Sequence, residues 1–565
     1  MNIFIEEICN FLSERTGIPA AQLEGVVEKP PNPDLGDYAF PCFSLARELR
    51  RDPKIIAESL VAKFQPTALI DRAEVAGAYV NFFINKTRFV GMALSNALQA
   101  GDSYGFSDEG RGKTIVIDYS SPNIAKHLGV HHLPGTLIGQ ALYNIYNALG
   151  YECVGINHLG DWGRQFGEII VAYQLWGSEE ELERAPVTHL NALYVKFHDE
   201  ASQDPSLEDR ARITFKKLED GDPEIRALWE RFREVSVRQF EKAYRLLGIS
   251  FDHYVGESFY NDMTDDLIAR LRSSKLARES RDALVVDLSE YGMPPVLVRT
   301  SADSTLYHTR DICAAEYRHT TYNFHKMLYV VGSEQRLHFK QLFTVLELMG
   351  YKWAKRCVHV DFGLLRFKEG KLSTREGRVI LMQELLERAV SLAGTIIQEK
   401  NPGLDNKDDV ARAVGIGAAK FANLRARRLK DVVFDWDQVL SFEGETGPYL
   451  QYTYVRVSSI LDKHGNDLPR DFNPSRLSEP EELALVRLIE GYNFVLRRTA
   501  EEYEPSLLAS YLIELATVFN HYYHTHRVLC DDPELRDARL VLVAVTGRIL
   551  RSGLALLGIE TPERM

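Results

Sequence analysis

Cysteine is scarce in this chain of 565 residues, and no two cysteines form a CxxC pair. The six cysteines are scattered, at Cys9, Cys42, Cys153, Cys313, Cys357 and Cys530. We therefore expect no structural metal site and no disulfide framework, and the pattern is typical of a protein of the reducing cytoplasm. Long apolar runs are also missing, since residues 540–545 (LVLVAV) fall far short of the ~20 residues that cross a membrane. The N-terminus lacks a basic region, so we expect no secretory signal.

An excess of positive charge is absent as well. Lys and Arg number 67 against 80 Asp and Glu, which gives a net charge of −13. This balance disfavours a nonspecific nucleic-acid binder, because phosphate contacts need clustered Lys and Arg. One local basic run exists, made of Arg425, Arg427, Arg428 and Lys430. It is either a phosphate-binding surface or a solvated helix face, and the sequence leaves both open.

The first part of the chain mixes helix and strand patterns. Amphipathic helices are predicted at residues 2–15 and 53–64, and an alternating strand at 79–84. A turn-rich stretch, KPPNPDLGDYAFP, lies between the two helices. We expect an N-terminal α+β domain over residues 1–110, because a chain of this length exceeds one hydrophobic core.

Residues 111–440 predict an α/β domain. The segment KTIVIDY (113–119) is a continuous apolar run, as in strands that are buried on both faces. A loop of small residues and a predicted helix follow it, which is how doubly wound folds begin. Further strands are predicted at 283–287 and 327–331.

Two helical regions complete the pattern. Residues 178–250 are charge-rich and helix-periodic, and they predict a helical insertion in the α/β domain. Strand signals vanish over residues 441–565, where the periodicity predicts an all-α bundle. The order of these regions is typical of a multi-domain enzyme.

Residues 117–141 (IDYSSPNIAKHLGVHHLPGTLIGQA) contain the groups that phosphate chemistry needs. The predicted strand ends at Asp118, and Lys126, His131 and His132 precede a predicted helix. A helix N-terminus offers free N–H groups and a positive dipole end to anions. Ammonium and imidazole groups stabilise the charge of a transferring phosphate. The segment therefore predicts a nucleotide site, and the alternative is a polar loop with two chance histidines.

This segment resembles the HIGH region of the arginyl-tRNA synthetase family, in which Ser-x-Pro-Asn-x-Ala-Lys leads into His-x-Gly-His. Other segments resemble that family's blocks in its order: NHLGDWGRQFG (157–167), LYHTRDICAA (306–315), VVGSEQRLHFKQLF (330–343), KLSTREG (371–377), FEGETGPYLQY (442–452) and the closing LGIETPERM. NPDLGDYAF and VNFFIN resemble its N-terminal domain. The resemblance runs from end to end, and several long ordered matches are far more specific than one motif.

The resemblance implies a class I synthetase with three parts: an N-terminal tRNA-contacting domain, a Rossmann-type catalytic domain and a C-terminal helical anticodon-binding domain. It implies a ligase that uses ATP, with Mg²⁺ accompanying the nucleotide, to form arginyl-adenylate and then to charge tRNA(Arg) with L-arginine. In this family activation generally waits for bound tRNA. Members are usually monomers, and no membrane partner is implied.

Matching the family's motifs residue by residue implies an arginine pocket. Asp118 and Asp311 would bind the guanidinium group, Tyr307 would line the side-chain slot, and Asn123 and Gln335 would hold the α-amino and carboxylate groups. Carboxylates suit this task because the fixed donors of a guanidinium match their geometry. The alternatives are a helix cap for Asp118 and a surface pair with Arg310 for Asp311.

The segment KLSTREG resembles the family's KMSKS loop, which implies that Lys371, Ser373 and Arg375 bind ATP. Thr374 stands where that motif has its second lysine. In family members with this change, a lysine upstream of the HIGH box can supply the missing charge, and Lys126 occupies that place. A basic solvent loop is the alternative. The catalytic residues that the resemblance implies are Lys126, His132 and Lys371.

The HIGH-like box (residues 129–132) departs from the motif. Without gaps, Gly129 and His132 stand at its two histidines, His131 stands at its small residue, and Pro134 replaces a following arginine. Gly129, His131 and His132 would then lie at the ATP site. Adenine stacks against bare backbone at the small residue, so either His131 turns away or ATP binds poorly. A shift to residues 127–129 would need compensating gaps, and the ungapped match is favoured.

Two functions are consistent with these departures. The first is arginine–tRNA ligation. The second is a non-catalytic arginine- or tRNA-binding paralogue with a degraded ATP site, since the changes gather in the ATP-binding segments and leave the arginine pocket intact. The retained Lys126, His132 and Lys371 favour the ligase.

Overall fold

A computed structural model describes residues 3–280, 283–300, 307–367 and 380–565. The strands in these ranges are β1 (Tyr38–Pro41), β2 (Ile70–Ala76), β3 (Tyr79–Ile84), β4 (Thr114–Asp118), β5 (Glu152–Asn157), β6 (His253–Tyr254), β7 (Ala277–Ser280), β8 (Ala283–Val286), β9 (Val296–Arg299), β10 (Lys326–Tyr329), β11 (Cys357–His359), β12 (Leu365–Phe367) and β13 (Val432–Phe434). The α-helices in the same ranges are α1 (Ile3–Thr16), α2 (Ala20–Leu23), α3 (Phe43–Leu49), α4 (Pro53–Val61), α5 (Lys86–Ala100), α6 (Leu133–Ala148), α7 (Arg164–Trp176), α8 (Glu179–Arg184), α9 (Pro186–Ala201), α10 (Ser206–Glu219), α11 (Pro223–Leu246), α12 (Thr264–Ser273), α13 (Tyr307–Tyr322), α14 (Arg336–Leu348), α15 (Met382–Lys400), α16 (Lys407–Arg425), α17 (Trp436–Val439), α18 (Gly447–His464), α19 (Pro480–Glu502), α20 (Ser506–Thr525) and α21 (Pro533–Leu556).

The chain divides into two compact units. The first unit comprises Met1–Tyr104, Ser459–Gly491 and Thr517–Ile549, and the second comprises Gly105–Ser458, Tyr492–Ala516 and Leu550–Met565. Helices α18, α19, α20 and α21 each contribute residues to both units. The domain boundaries expected after residues 110 and 440 stay predictions.

The first unit contains an antiparallel sheet with the strand order β1-β3-β2. The predicted strand at 79–84 is β3, and its central residue Phe82 is fully buried. The predicted helices are α1 and α4. Helix α4 begins where Asp52 accepts hydrogen bonds from the N–H groups of Lys54 and Ile55, with Pro53 in its first turn.

The second unit contains a parallel sheet with the strand order β11-β10-β4-β5-β6. The predicted strands at 113–119 and 327–331 are β4 and β10. Ile115, Val116 and Ile117 of β4 are all fully buried, which explains their continuous apolar run, since successive side chains point to opposite faces. The strand order reverses between β4 and β10. Open α/β sheets bind ligands at the carboxyl ends of the strands next to such a reversal.

The predicted strand at 283–287 lies outside the parallel sheet. It is β8, the central strand of an antiparallel sheet with the order β7-β8-β9. Its residues alternate between partly and fully buried, which is typical of a sheet with one covered face. Strands β12 and β13 form a further parallel pair.

Helices fill the two regions where the sequence predicts them. Helices α8 to α11 occupy the stretch 178–250, and α11 buries one apolar face that includes Trp229, Phe232 and Phe240. Residues 441–565 are all described, and they form helices α18 to α21 and no strand. In the part of the chain that the structure describes, no helix has the length and apolar character needed to cross a membrane.

Candidate functional site

The loop that follows β4 is held in one shape by helix α11. Ala125 donates its N–H to Ser236 Oγ (3.0 Å), and the hydroxyls of Ser120 and Tyr244 lie 2.7 Å apart. Ser120, Ser121 and Ala125 have φ values of 75°, 49° and 59°. Residues other than glycine adopt this left-handed region at a cost, and they do so mostly where the surroundings fix them at functional sites.

Asn123 lies exposed on this loop, against the segment that follows β5. Ile124 N–H donates to the Gly160 carbonyl (3.2 Å), and Gly160 N–H donates to the Pro122 carbonyl (3.0 Å). A β-carbon at Gly160 would lie 1.8 Å from Asn123 Oδ1, so this close approach requires glycine. The pairing holds Asn123 beside the carboxyl end of β5.

The HIGH-like box pairs with the chain that emerges from the KLSTREG segment. Val130 N–H donates to the Ile380 carbonyl (3.1 Å), and Met382 N–H donates to the Leu128 carbonyl (2.9 Å). Gly129 lies between these bonds, in an isolated bridge with Leu381. The predicted ATP-binding residues of that segment, Lys371, Ser373 and Arg375, lie outside the described residues. Residues 380–382 are therefore anchored on the backbone of the box.

His132 ends the box and stands at the N-terminus of α6. Its Nδ1 lies 3.2 Å from the Gly129 carbonyl, so Nδ1 carries a proton and donates it. Burial, and then the neighbouring His131, lower the pKa of His132 to about 3, against a smaller opposing effect of the Gly129 bond. His132 is therefore neutral at pH 7, and its Nε2 is an acceptor. Pro134 lies in the first turn of α6, where proline is well tolerated.

His131 and Lys126 point to different neighbours. His131 is exposed, and its ring centroid lies 4.0 Å from that of His132. Although its surface is exposed, the surrounding protein desolvates part of the His131 ring and lowers its pKa, and the Glu334 carboxylate partly offsets this effect. Lys126 Nζ lies 5.7 Å from the ring centroid of Tyr194 on helix α9, so Lys126 faces the insertion.

Asp118 is paired within the protein, and its expected role in binding the guanidinium group stays a prediction. Its carboxylate lies 2.8 Å from Arg318 Nη1, and the two side chains are only 6% and 1% exposed. Ser121 Oγ donates a further hydrogen bond to Asp118 (3.0 Å). These contacts use part of the acceptor capacity of the Asp118 carboxylate, and almost none of its side chain is exposed. Sequence reasoning does not single out Arg318, which lies in the second half of α13.

Asp311 lies about two turns before Arg318 on the same helix, and it faces two imidazoles. His338 Nε2 on α14 is 2.7 Å from Asp311 Oδ2, and His158 Nε2 beyond β5 is 3.8 Å from Oδ1. Burial raises the pKa of Asp311, but the hydrogen bond and charge of His338, together with His158 and Arg318, outweigh it, so the pKa lies below its usual value. Asp311 is thus an ionised carboxylate at the carboxyl edge of the sheet.

A second carboxylate, Glu257, lies near Asp311 and was missed by sequence reasoning. Glu257 follows β6 and lies 2.9 Å from Arg310 Nη2, so Arg310 pairs with Glu257. Burial raises the pKa of Glu257, Arg310 and His158 lower it, and the negative charge of Asp311 raises it further. An acidic residue directly beyond a strand of a parallel sheet is a signal that could have revealed it.

Tyr307 and Gln335 lie at the starts of neighbouring helices. Tyr307 is 50% exposed at the first residue of α13, and its ring centroid is 4.4 Å from His308 and 5.3 Å from His338. Gln335 is exposed and precedes α14. His338 thus contacts both Tyr307 and Asp311.

The basic run from Arg425 to Lys430 is not a single charged surface. Only Arg425 belongs to a helix, the last residue of α16, so the run is not a helix face. Arg425 pairs with Glu445, and Arg428 Nη1 lies 2.6 Å from Asp361 Oδ1. Two of the four charges are therefore offset within the protein.

Comparison with known proteins covers almost the whole chain. Residues 2–84 match the family described as "Arginyl tRNA synthetase N terminal domain", residues 93–436 match "tRNA synthetases class I (R), catalytic domain", and residues 450–565 match "DALR anticodon binding domain". The arginine–tRNA ligase of Halothermothrix orenii is 45% identical over 563 residues, which is 100% of each chain. That of Clostridium beijerinckii is 48% identical over 560 residues, or 99% of each chain. Among solved structures, the arginyl-tRNA synthetase of Thermus thermophilus is similar with a TM-score of 0.82 and 27% identity, covering 99% of each chain.

Proposed function

Since the chain belongs to the arginyl-tRNA synthetase family and uses ATP to join L-arginine to tRNA, we propose that both small substrates bind at the carboxyl edge of its parallel sheet. The observation that supports this site is that Asp311 faces His158, which follows β5, and His338 of α14, while the HIGH-like box follows the neighbouring strand β4. Ligands of doubly wound sheets bind at this edge. Neither the site nor the similar proteins favour the non-catalytic paralogue.

The arginine pocket that we propose is centred on Asp311. Asp311 and Glu257 accept hydrogen bonds from the guanidinium group, which needs carboxylates in its plane. Tyr307 lines the side-chain slot, and Asn123 and Gln335 hold the α-amino and carboxylate groups. Asp118 keeps Arg318 in place, and its expected contact with the guanidinium group stays a prediction.

The nucleotide lies on the HIGH-like box in this proposal. Gly129 and His131 border the adenine, while His132 and the free N–H groups at the start of α6 face the phosphates. His132 donates from Nε2 once the phosphate charge has drawn a proton onto it. Lys126, Lys371, Ser373 and Arg375 supply further contacts to the phosphates. Mg²⁺ enters with ATP, because phosphate oxygens and water are its preferred ligands.

The reaction then takes two steps. The carboxylate of arginine attacks the α-phosphate of ATP, which gives arginyl-adenylate and releases pyrophosphate. A hydroxyl of the terminal ribose of tRNA(Arg) then attacks the activated carbonyl and releases AMP. We further propose that the protein is a monomer. We also propose that it is cytoplasmic, in keeping with six cysteines that are all unpaired.

The test of the pocket is aminoacylation by an Asp311→Asn variant. The kcat/KM for arginine should fall by roughly 30- to 900-fold, which corresponds to about 2–4 kcal/mol for a lost charge-assisted pair. Glu257→Gln should act in the same direction. The matched control is Asp266→Asn on α12, an exposed carboxylate paired with Arg270, and it should change kcat/KM by less than about threefold.

Amino-acid choice provides the second readout. Lysine should remain a poor substrate of the unmodified enzyme, because a point charge cannot fill an acceptor shaped for a planar fork. Equal charging of lysine and arginine would contradict the pocket, and so would unchanged kinetics of Asp311→Asn.

A further inference from the structure

The Asp311 carboxylate is held between two imidazoles from different elements. His338 Nε2 is 2.7 Å from Oδ2, and the His338 side chain is 11% exposed. His158 Nε2 approaches Oδ1 at 3.8 Å and is 15% exposed. Each oxygen of the carboxylate therefore faces one ring nitrogen.

The protons of both rings can be assigned from their partners. An ionised carboxylate only accepts hydrogen bonds, so His338 carries its proton on Nε2. Arg318 Nη2 lies 3.3 Å from His158 Nδ1. A guanidinium only donates, so Nδ1 of His158 is an acceptor, and in the neutral ring the proton lies on Nε2. Both histidines thus present an N–H to Asp311.

We propose that His338 and His158 are positioning residues, which fix the Asp311 carboxylate in the one orientation that accepts the arginine guanidinium. This inference rests on the role of Asp311 proposed above. A carboxylate on a free side chain samples many planes, whereas a bidentate guanidinium contact needs one. Groups that bind substrate keep such a geometry only where surrounding hydrogen bonds fix their rotamers. Arg318 contributes indirectly to the orientation of Asp311, because it sets the tautomer of His158 and is itself held by Asp118.

The experiment compares His338→Leu with His338→Gln. Leucine has a similar volume and no donor, so KM for arginine should rise by about 10- to 100-fold, as for the loss of a hydrogen bond to a charged group. The kcat at saturating arginine and KM for ATP should stay within about threefold, because Asp311 contacts neither the phosphates nor the reacting carboxylate. Glutamine places an amide N–H near the position of Nε2, and it should restore KM to within about fivefold.

A control separates this effect from general damage. His319→Leu removes an imidazole of the same helix as Asp311 that stacks on Trp353 (4.7 Å between ring centroids), and it should leave KM for arginine unchanged. If His338→Leu does not fold, His338→Asn serves in its place, since its amide is one methylene too short to reach Asp311.

Each outcome has a definite meaning when Asp311→Asn is measured alongside. A raised KM in Asp311→Asn with an unchanged KM in His338→Leu overturns the positioning role and leaves the pocket intact. An unchanged KM in Asp311→Asn overturns the pocket and this inference together. A His338→Gln variant that is no better than His338→Leu, or a loss confined to kcat, also overturns the positioning role.

Discussion

Replacing Asp118 by asparagine separates a role in the core from a role in arginine binding. The Asp118–Arg318 pair is almost completely buried, with side chains 6% and 1% exposed and charged atoms 2.8 Å apart. Asp118→Asn leaves the Arg318 charge buried without its counter-charge, which costs about 3–5 kcal/mol. Glu502→Gln is the matched control, because Glu502 pairs with Arg498 at 47% and 50% exposure, and such surface pairs contribute at most about 0.5 kcal/mol.

Urea denaturation followed by tryptophan fluorescence measures this difference directly. All five tryptophans, Trp162, Trp176, Trp229, Trp353 and Trp436, belong to the unit that contains the pair. The double variant Asp118→Leu with Arg318→Met should recover much of the lost stability, since no unpaired charge remains in the core. The reasoning would be refuted if Asp118→Asn changed stability by less than about 1 kcal/mol and raised KM for arginine by the amount expected of Asp311→Asn.

Four further predictions concern the site, three for its nucleotide side and one for its arginine side. Lys126→Ala should slow adenylate formation by about 10²–10³-fold, as for the loss of a positioned electrostatic group. Adding Thr374→Lys to this variant should restore part of the rate. An unchanged rate in Lys126→Ala would limit the role of Lys126 to its contact with Tyr194. In pyrophosphate exchange, His131→Gly should leave KM for ATP within a few-fold, while His132→Ala should lower kcat by about 10²-fold. The opposite result would mean that the roles of the two histidines are exchanged. His132 has a pKa lowered from 6.5 to about 3, so the unfolded chain takes up its proton first, and stability should fall as the pH drops below 6.5. At pH 5, which is 1.5 units below 6.5, the free energy of unfolding should be lower by about 2 kcal/mol, because each unit contributes about 1.36 kcal/mol. His132→Ala should flatten this slope when denaturation is measured as a function of pH. Gly160→Ala should raise KM for arginine by about 10-fold or more, because its β-carbon would displace Asn123, whereas Gly491→Ala, with open space around its β-carbon, should not.

The strands and helices that can be predicted are those in which the spacing of apolar side chains within the segment itself indicates the type of element. Strand β4 was found because its three central residues are apolar and buried on both faces. The C-terminal helices were found because their apolar residues recur with helical spacing. Strand β6 has only two residues, His253 and Tyr254, and no local pattern distinguishes so short an element.

The parts of the site that sequence alone did not reveal depend on contacts between distant segments. Arg318 is one of many arginines in amphipathic helices, and only tertiary structure shows that it lies beside Asp118. Glu257 becomes significant only through its proximity to Asp311, which lies 54 residues later in the chain. A charged residue in the core is recognised by its partner, which the linear sequence does not show.

The backbone bonds between residues 128–130 and 380–382 join the start of helix α15 to the HIGH-like box. Met382, the first residue of α15, donates its N–H to the Leu128 carbonyl, and Leu381 forms a bridge with Gly129. These bonds depend on the backbone of both segments and not on the nature of their side chains. The two segments therefore move as one unit, and a displacement of α15 would shift the box together with it.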